Sequence, residues 1–203
     1  MTDRYKKLTS KQFREVVTPY LEAFPDWQRF GDMGIFREEF PIRQQITFEN
    51  LSSGMYRPVH AVRALPLRLS RMLFQHLGAR CRQLTYRQHK GQWREMLACI
   101  RDQFRPSVIA PLNIEEVILL CESESLGRAN DLSMLAILYA WRGDDDKALE
   151  CCLRIRGAPT PTIAVREDLE QTIRTFGEQL ILAITKSEAR RFLWLKAEQA
   201  KGE

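Results

Sequence analysis

Three histidines, five cysteines and one run of three aspartates are the side chains of this 203-residue chain best suited to acid–base, thiol or metal chemistry. Their spacing argues against most of it. His60, His76 and His89 fall in no His-Glu-x-x-His arrangement and no Cys-x-x-Cys occurs, so the local patterns that hold zinc are missing. His76 sits among Leu69, Met72, Leu73 and Leu77 at helical spacing, where a hydrogen-bonded core histidine is the expectation. A nucleophilic dyad of His76 with Cys81, or of His89 with Cys99, would have to be assembled by the fold. Asp144-Asp145-Asp146 lacks the glycine and closing glutamate of a calcium loop, and acids ahead of an apolar run suit a helix start, where they interact favourably with the macrodipole. Vicinal Cys151 and Cys152 diverge on a helix, so at least one belongs in the core. None of the ten glycines forms a Gly-x-Gly-x-x-Gly or Gly-Lys-Ser/Thr phosphate loop, and no serine-nucleophile elbow is present. The joint expectation is a chain without catalysis, metal or organic cofactor.

Charge is more informative. No acidic residue occurs between Glu49 and Glu95, while Arg57, Arg63, Arg68, Arg71, Arg80, Arg82, Arg87, Lys90 and Arg94 all fall inside. Residues 1–112 carry a net +9 and residues 113–203 a net −4, giving the total of +5. Two readings stay open. The halves neutralise one another, or the basic stretch 57–94 steers an acidic partner, protein or nucleic acid. All but one of those nine cations are arginines, which pair bidentately with carboxylates as readily as with phosphates. Tyr86, between Arg82 and Arg87, is able to stack on a base, but no nucleic-acid-binding motif accompanies it.

The elements that must position these residues change period along the chain. Phe13, Val16, Val17, Tyr20, Leu21 and Phe24 follow helical spacing from a Ser10 cap to a stop at Pro25. Alternation then takes over: Phe36/Glu38/Phe40, Ile42/Gln44/Ile46/Phe48 and Tyr56–Val62, with a turn at 50–54, predict a small antiparallel sheet confined to Ile35–Ala64. After Pro66 the expectation is helices only. One runs through Leu69–Leu77 and one through Trp93–Phe104; a third follows an Asn113 cap, and later ones start at Thr160-Pro161 and Ser187. The fold class expected is α+β, mostly α. Its N-terminal helix and small antiparallel sheet (1–65) pack on a C-terminal helical array (66–203) as one compact unit. With 44% hydrophobic and 28% charged residues, disorder and collagen-like structure are excluded, and no apolar run approaches the ~20 residues of a membrane span. The first residues lack the apolar run of a secretion signal, and five scattered cysteines suit reduced thiols, so the expected location is the cytoplasm.

Two resemblances add to this. Leu135, Ala136, Tyr139, Gly143 and Ala148 have the spacing of a tetratricopeptide repeat, so residues 132–156 resemble one such helical hairpin, in which small residues permit close helix approach. The order of an N-terminal helix, an aromatic turn at Trp27-Gln28-Arg29-Phe30, paired strands at Ile35–Arg37 and Ile42–Glu49, and helices with Trp93 and Arg105-Pro106 is similar to small bacterial domains found near polymorphic toxins, some of which look like immunity proteins. That resemblance implies an inhibitor that binds a toxin effector and does no chemistry. The leading expectation is therefore a non-catalytic protein-binding module. Its expected partner-binding residues are Trp27, Arg29, Phe30 and Tyr56, large aromatics and an arginine in or beside turns, together with Arg80, Arg82 and Arg87 of the basic stretch. The alternatives are a helical-repeat adaptor and a nucleic-acid-binding regulator.

Overall fold

The computed structural model describes residues 7–51, 54–67, 72–78, 83–124, 127–157 and 164–201. The Thr160-Pro161 helix start and Arg68, Leu69, Arg71, Arg80, Cys81 and Arg82 lie outside them. In order, the elements are α1 (Ser10–Ala23), β1 (Gln28–Phe30), β2 (Gly34–Glu39), β3 (Ile42–Asn50), β4 (Met55–Ala64), β5 (Leu73–His76), β6 (Leu84–Thr85), α2 (Tyr86–Gln103), α3 (Ile114–Glu124), α4 (Ala129–Arg142), α5 (Asp145–Gly157), α6 (Ala164–Thr185) and α7 (Ala189–Lys201). Helices take up more than half of the described residues, and the class is α+β, mostly α, with a sheet that is antiparallel.

That sheet runs β1-β2-β3-β4-β5, with β6 paired to β4 through Met55↔Thr85 and Tyr56↔Leu84. β1 pairs β2 with Arg29 opposite Ile35. Three strands thus lie outside the window Ile35–Ala64 that alternation predicts. β5 and β6 are four and two residues long, too short to display a period of two, and the Leu73–Leu77 spacing that reads as a helix turn fits a strand end equally well. His76 accordingly stands exposed on β5 rather than on a buried helix face.

The chain divides into two compact units. The first comprises residues 1–38, 44–62 and 74–112, so α2 and the last two strands belong with the N-terminal helix and most of the sheet, past the change of pattern at Pro66. Its core joins Phe13, Val16, Val17 and Tyr20 of α1 to Ile35, Ile46, Phe48 and Tyr56 of the sheet and to Met96, Leu97 and Ile100 of α2. Thr9, not Ser10, caps α1, in a reciprocal box with Gln12; Thr85 and Gln88 repeat the device at α2. Gln44, buried on β3, accepts from Arg37 Nε at 2.6 Å and donates to the Pro106 carbonyl, while Arg37 Nη2 donates to the carbonyls of Ser107 and Ala110 at 2.8 and 2.7 Å. This network satisfies the backbone of the irregular segment after α2.

The second unit comprises 39–43, 63–73 and 113–203. Its axis is α4, buried from Leu132 to Ala140 on every side, as a helix apolar all round must be. α3, α5, α6 and α7 pack around it. The hairpin anticipated at 132–156 forms as α4 and α5, turned by Gly143 at φ +93°, whose N–H donates to Ala140 O while Asp144 N–H donates to Tyr139 O at 2.9 Å. α6 ends the same way, but with Ser187 at φ +59°, its N–H on Ile184 O and the Glu188 N–H on Ala183 O. Ser187 therefore ends α6 instead of capping α7. Arg142 ties three helices by pairing with Glu115 and Asp144, each at 2.6 Å.

Both helix ends make opposite forecasts in thermal unfolding. Gly143→Ala loses about 1 kcal/mol or more, since an L side chain is disfavoured at positive φ, whereas Ser187→Gly relieves that strain and gains up to about 1 kcal/mol. Equal effects of the same sign would contradict the two caps.

Candidate functional site

The candidate chemical residues are placed apart, and burial explains each. His60 of β4 is fully enclosed and stacks on Phe104 at 5.1 Å; neither ring nitrogen makes a hydrogen bond among the described residues, and burial pulls its pKa down to about 4. His89 of α2 hydrogen-bonds through Nδ1 to the Tyr56 hydroxyl at 2.8 Å, and burial lowers its pKa as well. Tyr56 in turn lies 3.3 Å from the Tyr20 hydroxyl. His89 and Cys99 form no dyad: His89 is engaged with Tyr56, and Cys99 is disulfide-bonded, which corrects the expectation of reduced thiols throughout. A disulfide depends on Cβ atoms brought within ~4 Å by the fold, which sequence spacing does not display. Cys121, Cys151 and Cys152 are buried thiols outside any disulfide; burial pushes the last two up to about 11 and 12, away from thiolate chemistry. Asp144 pairs with Arg142 and accepts from Lys147 N–H at the start of α5. Among the described residues, no three His, Cys, Asp or Glu side chains group as metal ligands.

The basic stretch gives a different result. Arg57 is neutralised by Glu49 at 2.7 Å, but Arg87, Lys90 and Arg94 are exposed on α2 and make no ion pair with any described residue. Arg94 lies over its neighbour Trp93 at 4.7 Å, and Arg101 reaches the Ala23 carbonyl and the Phe24 ring without meeting a carboxylate. On α2, Arg87, Arg94 and Arg101 recur every seven residues and so fall nearly in line on the outer face. Two clefts flank this line, both within the first unit. One, of about 680 Å³, lies at the starts of α1 and α2 and is lined by Lys7, Lys11, Arg87, Tyr86 and Glu15, with the Tyr86 hydroxyl donating to Glu15. Its wall is fixed because Asn50 of β3 holds the Leu8 backbone by two hydrogen bonds of 3.1 and 3.0 Å. The other, of about 630 Å³, is lined by Trp93, Arg94, Leu97, Ala98, Arg101 and Asp102.

Of the residues expected to bind a partner, Arg87 lines the first cleft. Arg29 and Phe30 are exposed on the edge strand β1, Arg29 donating to Thr18 and Phe30 meeting Phe36 edge-on. Trp27 and Tyr56 are core residues instead. Trp27 packs on Phe24 at 5.6 Å with Arg37 over its ring, and Tyr56 is fully enclosed by Tyr20, Phe48 and His89. An aromatic beside a turn is drawn inward when a sheet face and helix lie behind it, which turn chemistry does not reveal. Arg80 and Arg82 lie outside the described residues. Lys7, Lys11, Trp93 and Arg101 join the face unannounced; the seven-residue recurrence of arginine was the available signal.

No protein-family model matches this chain, and neither the curated proteins nor the solved structures contain a significant match to it.

Two stability forecasts follow from the buried groups. In the unfolded chain His60 takes up its proton near 6.5, in the folded chain only near 4, so the unfolded state binds more protons between those values and stability falls as pH drops through that window, by about 3 kcal/mol in all. Urea unfolding at a series of pH values should show this slope, and His60→Leu should make it shallower, leaving the part that buried His89 contributes with the same sign; an unchanged slope would refute the assignment. Tyr56→Phe strands the Tyr20 hydroxyl and His89 Nδ1 and should cost about 1–3 kcal/mol in the same assay at neutral pH.

Proposed function

We propose that this chain is a non-catalytic protein-binding module whose α1/α2 face docks on an acidic protein. The observation that carries this reading is the exposed line of Arg87, Arg94 and Arg101, with Lys90 beside it, in which the described cations meet no carboxylate and two half-buried aromatics, Tyr86 and Trp93, directly precede Arg87 and Arg94. Arginine, tyrosine and tryptophan are the side chains that most often dominate interface energetics, because each joins wide contact area to directional hydrogen bonding. The finer proposal is an immunity protein that neutralises a bacterial toxin; occluding an active site needs a specific surface of ~1,600 Å² in total and no cofactor. The buried thiols and the enclosed His60 support a role without turnover, since none of them is presented to a substrate.

A nucleic-acid-binding regulator is the second reading, favoured by the same interleaving of aromatics and arginines. The helical-repeat adaptor has weaker support. In the α4–α5 hairpin α4 is a central, enclosed helix rather than the lining of an open groove.

The test is capture from the native cell with the wild-type chain and with R87E/R94E/R101E, compared at two salt concentrations after circular dichroism shows both to be folded. An acidic protein retained by the wild type and lost from the variant is the expected result, with association slowed about tenfold or more in the variant at low salt. Retention of DNA or RNA that falls steeply with salt would replace this reading with the second. An identical set of partners for both chains would refute the α1/α2 face.

A further inference from the structure

We propose that the element received by this face is a single amphipathic helix of a partner protein, bearing Glu or Asp every seven residues and lying along α2 between Arg87 and Arg101. This rests on the protein-binding reading and narrows it to one occupant. At 1.5 Å per residue the three arginines are spaced ~10.5 Å apart and span ~21 Å, a stretch matched by about 15 residues of a second helix, whose own seven-residue repeat has the same pitch. Along one side of this line, at heights between successive arginines, stand Gly91 and Ala98, with Lys90 on the other side. A Cβ added at Gly91 would meet no atom within 4 Å, and Ala98 lines the cleft with Trp93 and Leu97. Between successive guanidinium groups, then, the surface is low enough for a helix axis to approach to the ordinary 8–10 Å, with its carboxylates set against Arg87, Arg94 and Arg101. The downstream cleft, walled by Trp93 and Leu97, takes an apolar side chain of the same helix. The upstream cleft adds Lys7 and Lys11 for a further carboxylate.

The charges bordering the line select this occupant over the others. Glu95 and Asp102 directly follow Arg94 and Arg101, and Glu15 stands in the upstream cleft. A polyphosphate laid along α2 would face all three carboxylates, whereas a helix carrying both signs sets lysines opposite them. A second copy of this chain fits poorly as well: α2 has four cations against two acids, and antiparallel self-docking would bring Arg87 onto Arg101.

The experiment uses the full chain and three fluorescent probes at about 150 mM salt. These are a helical peptide of about 15 residues with Glu at seven-residue intervals, leucine beside it, one lysine on the side that meets Glu95 and Asp102 and alanine elsewhere, a peptide of the same composition with the Glu positions scrambled, and a single-stranded DNA of about 15 nucleotides. The in-register peptide should bind at least about tenfold more tightly than the scrambled one. R94E should abolish that preference, and Lys at the peptide's central Glu position should restore binding to R94E. Gly91→Leu, which fills the space over α2 and favours its helix, should weaken the in-register peptide at least about tenfold while leaving the thermal midpoint as high or higher. Equal or absent binding of the two peptides would overturn this inference; so would tighter binding of the DNA, or concentration-dependent dimerisation of the chain abolished by R94E. If the native partner is still lost from R87E/R94E/R101E while the peptides are not distinguished, the helix proposal fails and the protein-binding reading stands. If the triple variant keeps its partner, the reading itself fails.

Discussion

Tyr56 projects from the start of β4 into the core, where it is fully enclosed, and a phenol buried without a partner costs about 1–3 kcal/mol. Its two partners come from different helices: Tyr20 on α1 and His89 on α2. The requirement to satisfy one oxygen therefore fixes where both helices lie on the sheet. Around it, Phe48 packs on Tyr20 at 4.7 Å and Trp93 meets Tyr20 edge-on at 6.0 Å, so the polar contact is set inside an aromatic layer that cannot shift without losing packing. The outer face of α2, with its arginines, is a consequence. Once His89, Met96, Leu97 and Ile100 are committed to the core, Arg87, Gly91, Arg94, Ala98 and Arg101 must face outward.

A different constraint governs the second unit. α4 carries Leu132, Met134, Leu135, Ala136, Ile137 and Leu138 in near-continuous order, so every side of it needs covering, and α3, α5, α6 and α7 supply the cover. Its C-terminal end is closed three times over. Gly143 turns the backbone, Arg142 pairs with acids from α3 and the start of α5, and Arg190 of α7 donates to the Trp141 and Arg142 carbonyls. Those carbonyls carry the negative end of the helix dipole, which explains why a guanidinium rather than another apolar side chain seals the site.

The two units handle charge differently. In the second, arginines are spent on helix ends and on i,i+4 partners such as Arg154–Glu150 and Arg174–Glu170. In the first, Arg37 and Arg57 are absorbed by the fold while Arg87, Lys90 and Arg94 stay in solvent without a carboxylate among the described residues. Exposed like charges on one helix gain nothing for the stability of the fold and repel one another slightly.

The class of the fold was legible in the sequence because periodicity is a local property. α1, α2, β3, β4 and the α4–α5 hairpin each carry enough residues for their period to show, and Asn113, Gly143 and the acids of α5 mark helix ends by chemistry that acts within one turn. β5 and β6 were not legible, since so short a strand is defined by its neighbour and not by its own pattern. The same limit applies to function. The excess of cations in residues 57–94 is written in the sequence, but which of them remain in solvent depends on where acids from distant positions arrive: Glu49 reaches Arg57, and no described carboxylate reaches Arg87, Lys90 or Arg94. Trp27 and Tyr56 show the converse. Their residue types suit an interface anchor and a core equally, and only the packing of α1 against the sheet, a matter of contacts between residues far apart in the chain, decided that they are core.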